Sequence, residues 1–350
     1  MFGIDQDAIA DAVARMLTVN MGLKPRESLL VVSDYPNEEQ WAKGSAETVA
    51  QICRRALLGR AVAEIARQRF PDCPVTFLPF PATGRSGVEP PEAVAEAMAQ
   101  AQVIVAITSY SLSHTDARQN ACRNGARVAS MPRFLPEMFE PGGPMDVDYV
   151  DVERQTRILA NLLTDASEVH ITSPAGTDLR FSIAGRPGQV DAGIYHKPGS
   201  WGNLPAGEAY CAPVEGTAEG QIVVVPGWFA GLQHPMTLRI RHGELVAIEG
   251  GGEVGDNLHH LLHPEIGVSP YRERRNLGEF GIGTNPNARR IDITLEAEKI
   301  MGTVHCALGD NSHMGGTVTA DYHQDFIIPE ASVELDGQLI MEQGRWLVVT

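Results

Sequence analysis

Toward the C-terminus, "GTVHCALGDNSHMGGTVTADYHQDFIIP" (302–329) holds His305, His313, His323, Asp310, Asp321 and Asp325 between two apolar strand-like runs. All six side chains can ligate a cation. His323 and Asp325 stand two apart, and because side chains alternate along a strand, both point to one face, where one imidazole and one carboxylate can chelate a divalent ion. Phe326, Ile327 and Ile328 continue the strand as an apolar run, so it is expected to be buried, and a buried unpaired aspartate is costly. His305 in "TVHCALG" poses the same question, while its neighbour Cys306 points to the opposite face and is not assigned as a ligand. Two histidines and a carboxylate suffice for a mononuclear iron site of the facial-triad kind. Upstream, Glu208 follows Pro and Gly in "GNLPAGEAYCAP", and Glu279 sits between Gly278 and Phe280 in "NLGEFGIGTNPNARR". Adding both gives five ligands with three carboxylates, closer to the oxygen-rich, bridged environment of a two-metal hydrolase.

Other chemistry-capable stretches read as structural. "HHLLHPE" (259–265) places His259 and His263 four apart on a helix, but without the glutamate of an HExxH pair, so an exposed helix end is expected. The glycine-rich runs at 84–93 and 248–257 lack GxGxxG and GK[ST] and read as turns. In "SYSLSHTDARQNA", Ser113 is read as the cap of the following helix. His114 and Arg118 there lie where open α/β sheets place ligand-contacting loops.

These residues need a scaffold, and the patterning describes one in two parts. An expected helix (6–22) and a buried strand (27–34) lead into alternating helices (46–70, 90–101, 114–125) and strands (75–80, 103–111, 126–132). Such alternation is expected of a parallel sheet with helices on its faces. After about residue 165 the pattern turns to short β runs and hairpins, with turns at His242-Gly243 and Asp336-Gly337. The expectation is therefore an α/β protein: an N-terminal parallel-sheet α/β domain (1–160) and a β-rich α+β C-terminal metal-binding catalytic domain (161–350).

The composition sets outer limits. With 28 Lys+Arg against 44 Asp+Glu the net charge is -16, which disfavours nucleic acid and anionic membranes as partners and suits cations. No stretch approaches the ~20 apolar residues of a membrane span, and "MFGIDQDAIADAVARMLTVNMG" lacks the long apolar core of a signal peptide. Five scattered cysteines without CxxC spacing argue against a disulfide framework, so a cytoplasmic protein is expected.

Four ordered motifs carry a resemblance over most of the chain: "NLPAGEAYCAP", "LGEFGIGTNPNA", "HCALGDN" and "YHQDFII" followed by "ELDGQLIMEQGRW". Together they resemble the thermophilic metallo-aminopeptidases of the aminopeptidase T and aminopeptidase S group. That resemblance implies a homodimer in which Glu208, Glu279, His305, His323 and Asp325 hold two divalent ions (Zn, Co or Mn). It also implies Glu279 as bridge or proton acceptor, and hydrolysis of a small peptide or amide. The peptidases place a tyrosine shortly after the HxALG histidine. Here Ser312 and His313 stand instead, and His313 or Tyr322 is expected to supply the missing donor. The same superfamily resembles the iron(II) 2,5-dihydroxypyridine 5,6-dioxygenases. In that pattern the position of Glu279 carries a histidine and that of Glu208 is apolar. Glutamate at both positions makes the hydrolase the expected reading, with the Fe(II) dioxygenase as its alternative.

Overall fold

The structure, a computed structural model, describes residues 3–348. Residues 1–2 and 349–350, at the outer ends of the two expected domains, lie outside the described residues. The chain divides into two compact units: one runs to Val150 and takes in Gly193–Ala206, the other comprises Asp151–Ala192 and everything from Gly207 onward. The parallel-sheet first unit and β-rich second unit match the α/β class expected. The expected boundary at 160 falls inside the helix Tyr149–Asp165. The return of Gly193–Ala206 was also not read from the sequence, because its strand has only three residues and carries no periodic signal.

In the first unit, β1 (Leu29–Tyr35), β2 (Val75–Pro81), β3 (Val103–Thr108) and β4 (Arg127–Pro132) form a parallel sheet in the order β2-β1-β3-β4. The short strand Trp201–Asn203 pairs alongside β4. β1 and β3 are buried almost throughout, which is why they read as unbroken apolar runs rather than alternating ones. The expected first helix is α-helical over Gln6–Arg15 and widens into a π turn over Met16–Asn20. The helix Asp116–Arg123 is capped by Thr115, whose hydroxyl accepts from the Arg118 N–H, and not by Ser113. Ser113 Oγ instead donates to Ser130 Oγ at 2.8 Å in the interior. Arg118 lies 3.9 Å over the Trp201 ring, and His114 meets that ring edge-on.

In the second unit the chain runs through β5 (Glu168–Thr172), β6 (Asp178–Ser182) and β7 (Gln189–Asp191), leaves for β8 (the Trp201–Asn203 strand above), and returns at β9 (Glu208–Cys211). β10 (Glu219–Val224), β11 (Met236–Arg241) and β12 (Glu244–Gly250) follow, then β13 (Leu277–Gly283), β14 (Val304–Gly309) and β15 (His323–Ile328). β16 (Ser332–Leu335), β17 (Gln338–Glu342) and β18 (Arg345–Trp346) end the described chain. The turns expected at His242-Gly243 and Asp336-Gly337 join β11 to β12 and β16 to β17. All four residues have positive φ, as a tight hairpin requires. Eight strands form one sheet, β12-β11-β10-β6-β5-β16-β17-β18, and five form another, β15-β14-β13-β9-β7. Their inward faces share one apolar core that includes Phe181, Leu238, Phe280, Cys306, Phe326 and Val333. No helix among the described residues is long and apolar enough to cross a membrane.

Candidate metal centre

The five-stranded sheet sorts its residues by strand alternation. Ala209 and Cys211 on β9, Phe280 and Ile282 on β13, Val304, Cys306 and Leu308 on β14, and Phe326 and Ile328 on β15 enter the core. The intervening positions, Asp191, Glu208, Glu279, His305, His323 and Asp325, therefore share the other face. The register brings them abreast: Asp325 pairs with Ala307, Ala307 with Glu279, and Glu208 with both Gly283 and Asp191. His305 pairs with Gly281, where a Cβ would stand 2.2 Å from the imidazole. Only glycine leaves room for the ring there.

The five residues expected as ligands fall into two sets of mutually close donor atoms: Glu208, Glu279 and His305, and Glu279, His323 and Asp325. Glu279 belongs to both. His305 Nε2 lies 3.3 Å from Glu208 Oε2 and 3.4 Å from Glu279 Oε1. His323 Nε2 lies 3.1 Å from Glu279 Oε2 and 3.6 Å from Asp325 Oδ1, and its Nδ1 bonds the Asp310 carbonyl at 2.9 Å. That second-nitrogen bond orients the ring, as outer partners of metal-binding histidines commonly do.

Electrostatics expose the cost of the arrangement. Burial opposes charge on His305, yet the hydrogen bond to Glu279 and the carboxylates of Glu208, Glu279 and Asp325 push its pKa up to about 9. His323 is likewise held well above the usual imidazole range by Asp325 and Glu279 against its burial. Glu279 is held well below the usual carboxylate range by the two imidazoles despite burial, whereas burial pushes Glu208 up. Within this cluster two buried polar atoms have no hydrogen-bond partner, Glu208 Oε2 and His305 Nδ1. Buried carboxylates that draw protons onto neighbouring histidines, with a carboxylate oxygen left unmatched, form a cluster that a divalent cation satisfies.

Two expected catalytic residues stand outside these sets. His313 is half exposed and bonds Asp310 Oδ1 at 2.9 Å, with its ring centroid 6.1 Å from that of His323. Tyr322 packs against the apolar core with its hydroxyl buried and unpartnered. Neither takes the place of a peptidase tyrosine in the buried cluster. His259 and His263 pair with Glu265 at the exposed end of the helix Glu253–Leu262.

The sequence reading missed Lys299. It is 2% exposed, and its ammonium reaches Glu208 Oε1 at 2.5 Å, Glu298 Oε1 at 2.9 Å and Asp191 Oδ2 at 3.4 Å. A charged "EAEK" run reads as solvated surface. Its one clue is that "IMGTVHCALG" follows directly with no polar break.

Fold and site together define a two-unit α/β protein carrying a partly buried imidazole–carboxylate centre suited to a divalent cation. A family model described as 2,5-dihydroxypyridine 5,6-dioxygenase (NicX) matches residues 9–348, and the chain belongs to that family. It is 24% identical over 259 residues, 68% of this chain and 69% of the relative, to the 2,5-dihydroxypyridine 5,6-dioxygenase of Pseudomonas putida KT2440. The solved 2,5-dihydroxypyridine dioxygenase of the same organism superposes with TM-score 0.72 at 19% identity, covering 99% of both chains. AmpT from Thermus thermophilus superposes with TM-score 0.63 at 16% identity, covering 98% of this chain and 100% of its own. The kinship with the aminopeptidase T fold thus holds as architecture.

The expected activity does not survive. The family match over nearly the whole chain overturns the hydrolase, aminopeptidase and metalloprotease reading in favour of the dioxygenase family. The inference from Glu208 and Glu279 failed for a chemical reason. Oxygen and imidazole donors serve iron(II) as well as zinc and manganese sites, and selectivity comes from geometry and metal availability, so extra carboxylates do not specify hydrolysis.

Proposed function

We propose that this protein is a non-haem iron(II) dioxygenase that opens a hydroxylated heteroaromatic ring of the 2,5-dihydroxypyridine kind. The observation that carries this reading is the family match across residues 9–348. The donor set is consistent with it: two imidazoles and three carboxylates, with Cys211 and Cys306 turned away into the core. Such a set suits iron(II) and offers no thiolate to soft ions.

Glu279 is the shared donor, flanked by Glu208 and His305 on one side and by His323 and Asp325 on the other. When bound there, iron(II) supplies the redox chemistry that lets oxygen react with an electron-rich ring. The chain's own residues do the rest. His305 and His323 hold Glu279 between them, Gly281 admits the His305 ring, and the Asp310 carbonyl fixes the tautomer of His323. Glu208 Oε2, buried and uncommitted, faces the cluster as a further oxygen donor.

The test is direct. Purified protein loaded anaerobically with iron(II) should consume one O2 per 2,5-dihydroxypyridine, with loss of the ring's ultraviolet absorbance, and the zinc-loaded protein should do neither. Iron-loaded protein that leaves both oxygen and the ring untouched overturns the reading.

A further inference from the structure

We propose that Lys299 is a positioning residue that fixes Glu208 as a one-oxygen donor to the bound cation. This rests on the reading above that Glu208 faces a cation. The Lys299 ammonium is among the most deeply buried charges of the described chain, and it lies within ion-pair distance of three carboxylates, Glu208, Glu298 and Asp191. Such a triple match holds the nitrogen at one point in space, which a lysine on a flexible stem does not otherwise achieve.

The backbone around it is equally constrained. Asn285 N donates to the Lys299 carbonyl at 2.8 Å, and a Cβ on Gly283 would meet the Ile300 carbonyl oxygen at 2.1 Å, so the segment 298–300 is pressed directly against the end of β13. Gly207 N donates to the Asp191 carbonyl and Thr284 N to the Gly207 carbonyl. Lys299, Asp191 and the start of β9 are thereby tied into one frame.

The two oxygens of Glu208 then have different fates. Oε1 is committed to the ammonium at 2.5 Å, while Oε2 has no hydrogen-bond partner and stands 3.3 Å from His305 Nε2. A carboxylate without such a restraint can chelate an ion through both oxygens; with Oε1 engaged it offers one. If Lys299 served only to balance buried charge, it would not need to select between the oxygens.

The experiment uses cobalt(II) as the probe on the full chain, without oxygen or substrate, because its visible absorption weakens as coordination number rises. Lys299→Met should weaken cobalt binding about 10- to 100-fold, the usual cost of losing an outer partner of a ligand, and should lower the intensity of the cobalt bands. In a Glu208→Gln background the same substitution should change cobalt affinity less than about threefold, because the residue through which Lys299 acts is already altered. An equal fold-loss in both backgrounds, or an unchanged cobalt spectrum in K299M, overturns the proposal. Should K299M fail to fold, Lys299→Met combined with Glu298→Gln removes one of the carboxylates left unbalanced and carries the same cycle, with the same outcomes deciding it. An iron-loaded enzyme that leaves oxygen untouched sinks the dioxygenase reading while the cobalt cycle stands. An additive cycle in a ring-cleaving enzyme sinks only the role of Lys299.

Discussion

The two carboxylate oxygens of Glu279 face two different imidazoles, Oε1 at 3.4 Å from His305 Nε2 and Oε2 at 3.1 Å from His323 Nε2. Glu279→Gln should therefore disable both donor sets at once. Elemental analysis after equilibrium dialysis should show cation affinity reduced more than about 100-fold, beyond the loss from an outer partner. Retention of wild-type metal content would show that Glu279 is not the shared donor.

Gly281→Ala should act through His305 alone. The added methyl has the imidazole 2.2 Å away, and both lie in a buried strand pair, so the ring must move or the strands part. The expected cost is about 1–3 kcal/mol, as for other overpacked interiors, with weaker metal binding. Chemical denaturation of the metal-free and metal-loaded forms reads the two effects separately, and an unchanged midpoint in both refutes the close approach.

The pH dependence follows from His305. Its pKa in the folded metal-free protein is raised to about 9 from an ordinary 6.5. Its contribution to metal-free stability is thus fully present below about 6.5 and is lost as pH rises through about 9. Metal must displace that proton, so affinity should rise with pH up to about 9, by as much as tenfold per unit for each proton displaced. Metal titrations between pH 6 and 9 at constant ionic strength test this, and a flat profile contradicts it.

His313 and His323 should separate cleanly. His313→Ala removes a half-exposed ring bonded to Asp310 and should leave metal affinity within about threefold of wild type, with stability changed by no more than about 0.5 kcal/mol. His323→Ala removes a donor from the second set and should abolish tight binding. Equal losses in the two variants would place His313 in the centre.

Much of this was legible in the chain. Period-two spacing put His323 and Asp325 on one face and Cys306 opposite His305, because alternation is a local property of any strand. The continuous apolar runs around Val31 and Val105 marked a buried parallel sheet for the same reason, and the positive-φ turns at Asp336-Gly337 and His242-Gly243 announced their hairpins. Local pattern also drew Glu208 and Glu279 out as candidates, since carboxylates framed by Gly and apolar neighbours stand out against the acidic background.

What tertiary structure decided was register and enclosure. Only the pairing of β14 with β13 sets His305 against Gly281, and only the order β15-β14-β13-β9-β7 makes Glu279 the centre of two donor sets. Lys299 shows the limit most sharply. Nothing within "EAEKI" distinguishes a solvated lysine from one sealed among three carboxylates, because its burial comes from strands far away in sequence. The same holds for Tyr322, which looked available to the site from its neighbours but is turned into the core by the strand that carries His323 and Asp325. Residue types and spacing determine which side chains can bind a cation; long-range packing determines which of them meet, because the desolvation that makes them need one is a property of the folded chain.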